Sequence, residues 1–105
     1  MSVGGTQDGG GPAAAGMPLR RTLTILNQRG LHARAAAKFA QCAGRYDAEI
    51  TVIRGPYSVN GTSIMGLMML GAAQGVEVTV ETGGPQAEAA MEAIAALIGD
   101  RFGES

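Results

Sequence analysis

From Leu19 onward the apolar positions switch between a spacing of two and a spacing near 3.6, and each switch marks an element. Leu19 to Leu26 brings Leu23, Thr24, Ile25 and Leu26 in quick succession and predicts a first strand. Residues 33–43 carry Ala, Arg, Lys and Gln with no β-branched residue, which predicts a helix. Its apolar stripe is Ala36, Phe39, Ala40 and Ala43, with Arg34, Lys38 and Gln41 pointing elsewhere and Gly44 placed to end it. Ala48, Ile50 and Val52 share one face of a second strand running to Arg54, and Gly55-Pro56 is a turn before a short strand from Tyr57 to Val59. Asn60-Gly61 closes that hairpin or leads into the next element. Ser63 is a preferred N-cap residue for a short helix, Ile64 to Gly71, apolar nearly all round. Val76, Val78 and Val80 alternate with Glu77, Thr79 and Glu81, the cleanest half-buried strand of the chain. After the Gly83-Gly84-Pro85 turn, with its proline placed for a helix start, Ala87, Ala90, Met91, Ile94, Leu97 and Ile98 form a stripe. Glu88 and Glu92 lie outside that stripe, and Gly99 closes the helix.

The resulting order, β-α-β-β-α-β-α without an internal repeat, predicts an α+β domain with a mostly antiparallel sheet covered by helices on one face. Residues 1–17 are rich in Gly, Ala, Ser and Thr and bury too little to offset their ordering entropy, so they read as a flexible extension ahead of a domain over 18–105. A chain of 105 residues supports one modest core. A formal net charge of −1, with no basic cluster, argues against nucleic acid as a partner. No apolar run approaches the roughly 20 residues of a membrane span, and the start lacks the parts of a signal peptide. The single cysteine, Cys42, leaves no intramolecular disulfide and reads as a small buried apolar residue of the first helix. A cytoplasmic monomer is the expectation.

Candidate chemistry gathers at Gln28-Arg29-Gly30-Leu31-His32-Ala33-Arg34-Ala35, which holds the only histidine. Gly30 lets the backbone turn into the helix, so His32 falls at its N-cap, beside N–H groups that have no intrahelical partner. The amides of Ala33, Arg34 and Ala35, with the positive end of the helix dipole, make an anion site. Arg34 adds a guanidinium suited to phosphate oxygens. Two readings of His32 stand on this pattern: a helix-capping residue, or a nucleophilic imidazole that takes a phosphoryl group and holds it briefly. One histidine and one cysteine cannot build a metal site, and no cofactor is expected.

Gly30-Leu31-His32-Ala33-Arg34 resembles the phosphorylation-site motif of the HPr family, the histidine phosphocarriers of the bacterial phosphotransferase system. Val59-Asn60-Gly61-Thr62-Ser63-Ile64-Met65-Gly66-Leu67-Met68 resembles that family's segment around a regulatory serine. The two blocks stand at the family's usual separation, and residues 18 to 100 fit its length and element order. The resemblance implies an open-faced β-sandwich, a four-stranded sheet with two long helices and one short one. It implies that His32 accepts phosphate from phospho-enzyme I and passes it to an enzyme IIA-type acceptor, as a carrier rather than a stand-alone catalyst. It also implies phosphorylation of Ser63 by an HPr kinase/phosphorylase, and partner docking through Ile64, Met65 and Met68 beside His32. For Ser63 the plainer reading is a helix cap.

Three positions depart from the family pattern. Ala35 stands where most members have proline, Arg29 where many sugar-transport members have a small polar residue, and Thr62 where many carry lysine. Asn27-Gln28-Arg29-Gly30 with Ala35 resembles the nitrogen-related branch. A different class of function, a regulatory module docking on a transcription factor or enzyme through the methionine-rich helix, also fits the sequence. A small-ligand-binding domain fits less well, because no convergent polar set suggests a pocket.

Overall fold

The structure is a computed structural model that describes residues 18–104, so the extension expected over 1–17 lies outside the described residues. All seven predicted elements form, in the predicted order: β1 (Leu19–Thr24), α1 (Ala33–Ala43), β2 (Glu49–Arg54), β3 (Tyr57–Asn60), α2 (Ile64–Met69), β4 (Glu77–Gly83) and α3 (Ala87–Gly99). A 3-10 turn, Arg101–Gly103, follows and was not anticipated. The four strands form one antiparallel sheet in the order β1-β4-β2-β3. β4 thus lies between β1 and β2 although it is last in sequence, which suits its long alternating pattern.

One face of the sheet turns Ile50, Val52, Val78 and Val80 toward the helices, all nearly inaccessible to solvent. The other face is polar and open: Arg20 donates to Glu81 at 2.6 Å, and the Thr22 and Thr79 hydroxyls are 3.4 Å apart. From the helix side Ala35, Ala36, Phe39 and Ala43 of α1, and Ala90, Met91, Ile94 and Ile98 of α3, fill the core. Ala40 is only partly buried.

Element ends differ from expectation for identifiable reasons. β1 stops at Thr24, not Leu26, because Ile25 pairs with the loop before β4: its N–H reaches the Val76 carbonyl at 2.9 Å and its carbonyl takes the Gly75 N–H at 2.8 Å. α2 ends at Met69, not Gly71. Arg54 Nη1 reaches across from β2 to donate to the carbonyls of Leu70 (2.8 Å) and Gly71 (3.0 Å), taking up acceptors that the helix end leaves free. Gly44 does cap α1, but with φ −71°, so the left-handed freedom of glycine is not used there. β4 runs two residues past Glu81 because Thr82 is buried and its hydroxyl donates to the Ala87 carbonyl at 2.8 Å. Cys42 is half-buried at a groove between α1 and α3, not fully enclosed, and that burial raises its thiol pKa.

Candidate functional site

The loop between β1 and α1 is held by its own backbone and by the segment after α2. Gly30 adopts φ +67°, and a Cβ there would lie 2.5 Å from the Ala72 carbonyl oxygen, so only glycine fits. The next amide, of Leu31, donates to that same oxygen at 2.9 Å, and Leu31 is buried. These contacts deliver His32 to the N-cap of α1 in an extended conformation, φ −75° and ψ 179°.

At the N-cap the imidazole uses both nitrogens. Nδ1 accepts from the Arg34 backbone N–H at 3.3 Å, and Nε2 lies 2.5 Å from Glu104 Oε2. An accepting Nδ1 and a carboxylate at Nε2 are mutually consistent in one neutral form only, with the proton on Nε2. Nδ1 then presents its lone pair beside the first turn of α1. The amides of Ala33 and Ala35 have no protein partner among the described residues, as the open start of a helix requires. Arg34 is exposed, and its guanidinium makes no hydrogen bond or ion pair among the described residues. A cap interaction of His32 and an open anion site therefore coexist, and both readings of the histidine have a geometric basis.

Glu104 was not foreseen from the sequence, and nothing local could have found it: it is 72 residues from His32. Its second oxygen, Oε1, accepts from Asn27 Nδ2 at 3.1 Å. Asn27 is buried and also donates from Nδ2 to the Gly30 carbonyl at 2.8 Å, so the carboxylate is tied to the loop that carries the histidine. The hydrogen bond from His32, then that from Asn27, holds the Glu104 carboxyl below the usual carboxylate range, with Arg29 adding a smaller pull.

The methionine-rich segment presents a different surface. Ser63 caps α2, its Oγ accepting from the Gly66 N–H at 3.0 Å. Only Leu67 of the helix is buried; Ile64 and Met68 are each 43% exposed, Met65 73% and Met69 81%. Gly61, just before the cap, is buried against β2, where a Cβ would come 2.5 Å from Ile50 Cγ2. α2 packs on α1 and on β3, and the segment after it meets the Gly30–Leu31 loop, so this apolar surface and His32 are joined through Ala72.

A family model described as the PTS HPr component phosphorylation site matches residues 19–100. The phosphocarrier protein HPr of Cupriavidus necator is 50% identical over 86 residues, 82% of this chain and 97% of that protein. The phosphocarrier protein NPr of Shewanella violacea is 44% identical over 87 residues, 83% of this chain and 96% of that protein. Among solved structures, HPr-C-His from Thermoanaerobacter tengcongensis superposes with a TM-score of 0.80 at 41% identity, covering 83% of this chain and 98% of that one.

Proposed function

Since the chain belongs to the HPr family of phosphocarriers in the phosphotransferase system, we propose that His32 is its phosphorylated residue and Nδ1 its accepting atom. One observation carries this reading: Nδ1 faces the first turn of α1, within reach of the Arg34 N–H, while Nε2 is occupied by Glu104. The donor is phospho-enzyme I and the acceptor an enzyme IIA-type protein. On transfer, the Arg34 N–H that bonds Nδ1 at 3.3 Å, a long and weak contact, turns to the arriving oxygens together with the amides of Ala33 and Ala35. The Arg34 side chain supplies charge from solvent. First-turn amides with one exposed guanidinium stabilise a phosphoimidazole moderately without enclosing it, and a carrier that must release its cargo needs that balance.

Docking to both partners uses Ile64, Met65 and Met68, whose exposure beside the histidine loop supports the assignment. Methionine side chains adapt to partners of different shape, which suits one surface serving two proteins. Phosphorylation of Ser63 is the regulatory step: it places about −1.5 to −2 charge next to Ile64 and Met65 and opposes docking there. Incubation with enzyme I and phosphoenolpyruvate tests the reading. An acid-labile, single phosphorylation of the full chain is expected; no incorporation, with an active enzyme I, overturns it.

A further inference from the structure

The C-terminal turn lies beyond the segment that the family model matches, which stops at residue 100. Its backbone is costly. Arg101 and Phe102 are non-glycine residues at φ +57° and +56°, a left-handed conformation that L side chains disfavour. Two anchors offset it. The Phe102 side chain is fully buried in the core, which removes a large apolar surface from water. Lys38 Nζ donates to the Phe102 carbonyl at 2.6 Å, a charge-assisted bond. These two anchors hold the turn against the core. What the turn delivers is the Glu104 carboxylate, one oxygen on His32 Nε2 and the other on Asn27.

We propose that Glu104 is a positioning residue for phosphoryl transfer, holding the proton of His32 on Nε2 and balancing the charge the ring acquires when Nδ1 takes the phosphoryl group. This rests on the phosphocarrier reading of His32 and adds a residue to it. In the transfer step the Nδ1 lone pair forms the new N–P bond as the donor's P–N bond breaks, and the electron pair of the broken bond returns to the donor nitrogen. The Nε2 proton does not leave, so the acceptor ring becomes a phosphoimidazolium with its positive charge against the carboxylate. Onward transfer runs the same step in reverse, and the ring returns to the neutral Nε2–H form. A carboxylate behind an imidazole serves nucleophilic and metal-binding histidines in the same way, by fixing tautomer and orientation. Asn27 keeps the second oxygen in place, so the ring cannot turn Nε2 toward the donor without breaking the bond to Glu104.

The test compares the full chain with Glu104→Gln and Glu104→Ala, using two donors. Phosphoramidate, a small P–N compound that loses ammonia on transfer, reports the chemistry at the ring without docking; phospho-enzyme I reports both. Glu104→Gln should slow phosphorylation about tenfold with either donor, leaving the enzyme I concentration for half-maximal rate unchanged. Ring-¹⁵N spectra should show a hydrogen-bonded Nε2 proton in the parent protein that Glu104→Ala loses. ³¹P–¹⁵N coupling should place the phosphoryl group on Nδ1 in the parent and on both nitrogens in Glu104→Ala. Amide spectra outside residues 27–34 and 100–104 should match, and if Glu104→Ala fails that check the Gln comparison decides. Equal rates with phosphoramidate overturn the proposal, including the case in which only the enzyme I reaction slows, because Glu104 is then a docking contact. An Nε2 proton unaltered in Glu104→Ala overturns it too. A parent protein that takes phosphate from neither donor overturns the carrier reading instead, while the Nε2 proton still reports on the Glu104 contact.

Discussion

The His32 loop and the exposed face of α2 are built on opposite principles. Around His32 the side chains of Asn27, Lys38 and His32 itself are held by hydrogen bonds that link residues more than 60 positions apart in sequence. On α2 the exposed side chains of Met65 and Met69 have no polar partner to hold them, and the helix is placed by a serine cap three residues from its target amide and by Arg54 at its far end. A reacting nitrogen must point one way, and directional bonds can make it do so. If α2 docks two different proteins as proposed, side chains with many accessible rotamers suit it. If chemistry and docking divide between these two places as proposed, variants at the two should fail differently.

The most severe break is His32→Ala. It should fold, keep its affinity for enzyme I within severalfold and accept no phosphate; acid-labile labelling equal to the parent protein would place the acceptor elsewhere. Next comes Arg34→Ala. If the guanidinium steadies the phosphoryl group, transfer should slow by at least about tenfold, a loss of about 1.4 kcal/mol at the transition state. A folded variant with an unchanged rate would leave the backbone amides as the whole anion site.

At the α2 end the expected effects are smaller and appear in binding, not chemistry. Ser63→Asp sets an unpaired charge beside Ile64 and Met65 and should weaken enzyme I binding severalfold, while phosphoramidate still labels His32 at the parental rate. A loss of labelling by phosphoramidate would show that the α2 end acts on the chemistry as well as on binding. Ser63→Ala should leave binding intact and reduce stability by about 0.5–2 kcal/mol, the usual cost of a lost cap, measured by denaturant unfolding.

The smallest effect sharpens the chemical end. The Glu104 carboxyl is held below its ordinary value of about 4.3 by the hydrogen bonds from His32 and Asn27. A depressed carboxylate pKa stabilises the fold above the unfolded value, and that contribution fades as pH falls through the lower, folded value. Glu104→Gln should therefore flatten the fall of stability with acid below about pH 4.3 and leave its neutral-pH shape unaltered. Parallel curves for the two proteins would mean that the carboxylate is not held in solution as it is in the structure.

The sequence alone determined the parts whose causes are local. Period-two alternation located β4, period-3.6 stripes located α1 and α3, and Ser63 announced the start of α2, because burial of one face and capping act within a few residues. The place of His32 at a helix start was equally legible, since it followed from a glycine two positions before and an alanine-rich run after. Only the tertiary structure decided that β4 would lie between β1 and β2, that Arg54 would close the end of α2, and that Gly30 would press against Ala72. It also decided which nitrogen of His32 meets a carboxylate and which faces the first turn of α1. That choice rests on a carboxylate brought from the far end of the chain by a turn whose left-handed backbone no residue type announced, held in place by the burial of Phe102. Pairings across such separations leave no periodicity in the sequence, because the energy that favours them is gained only once the core has formed.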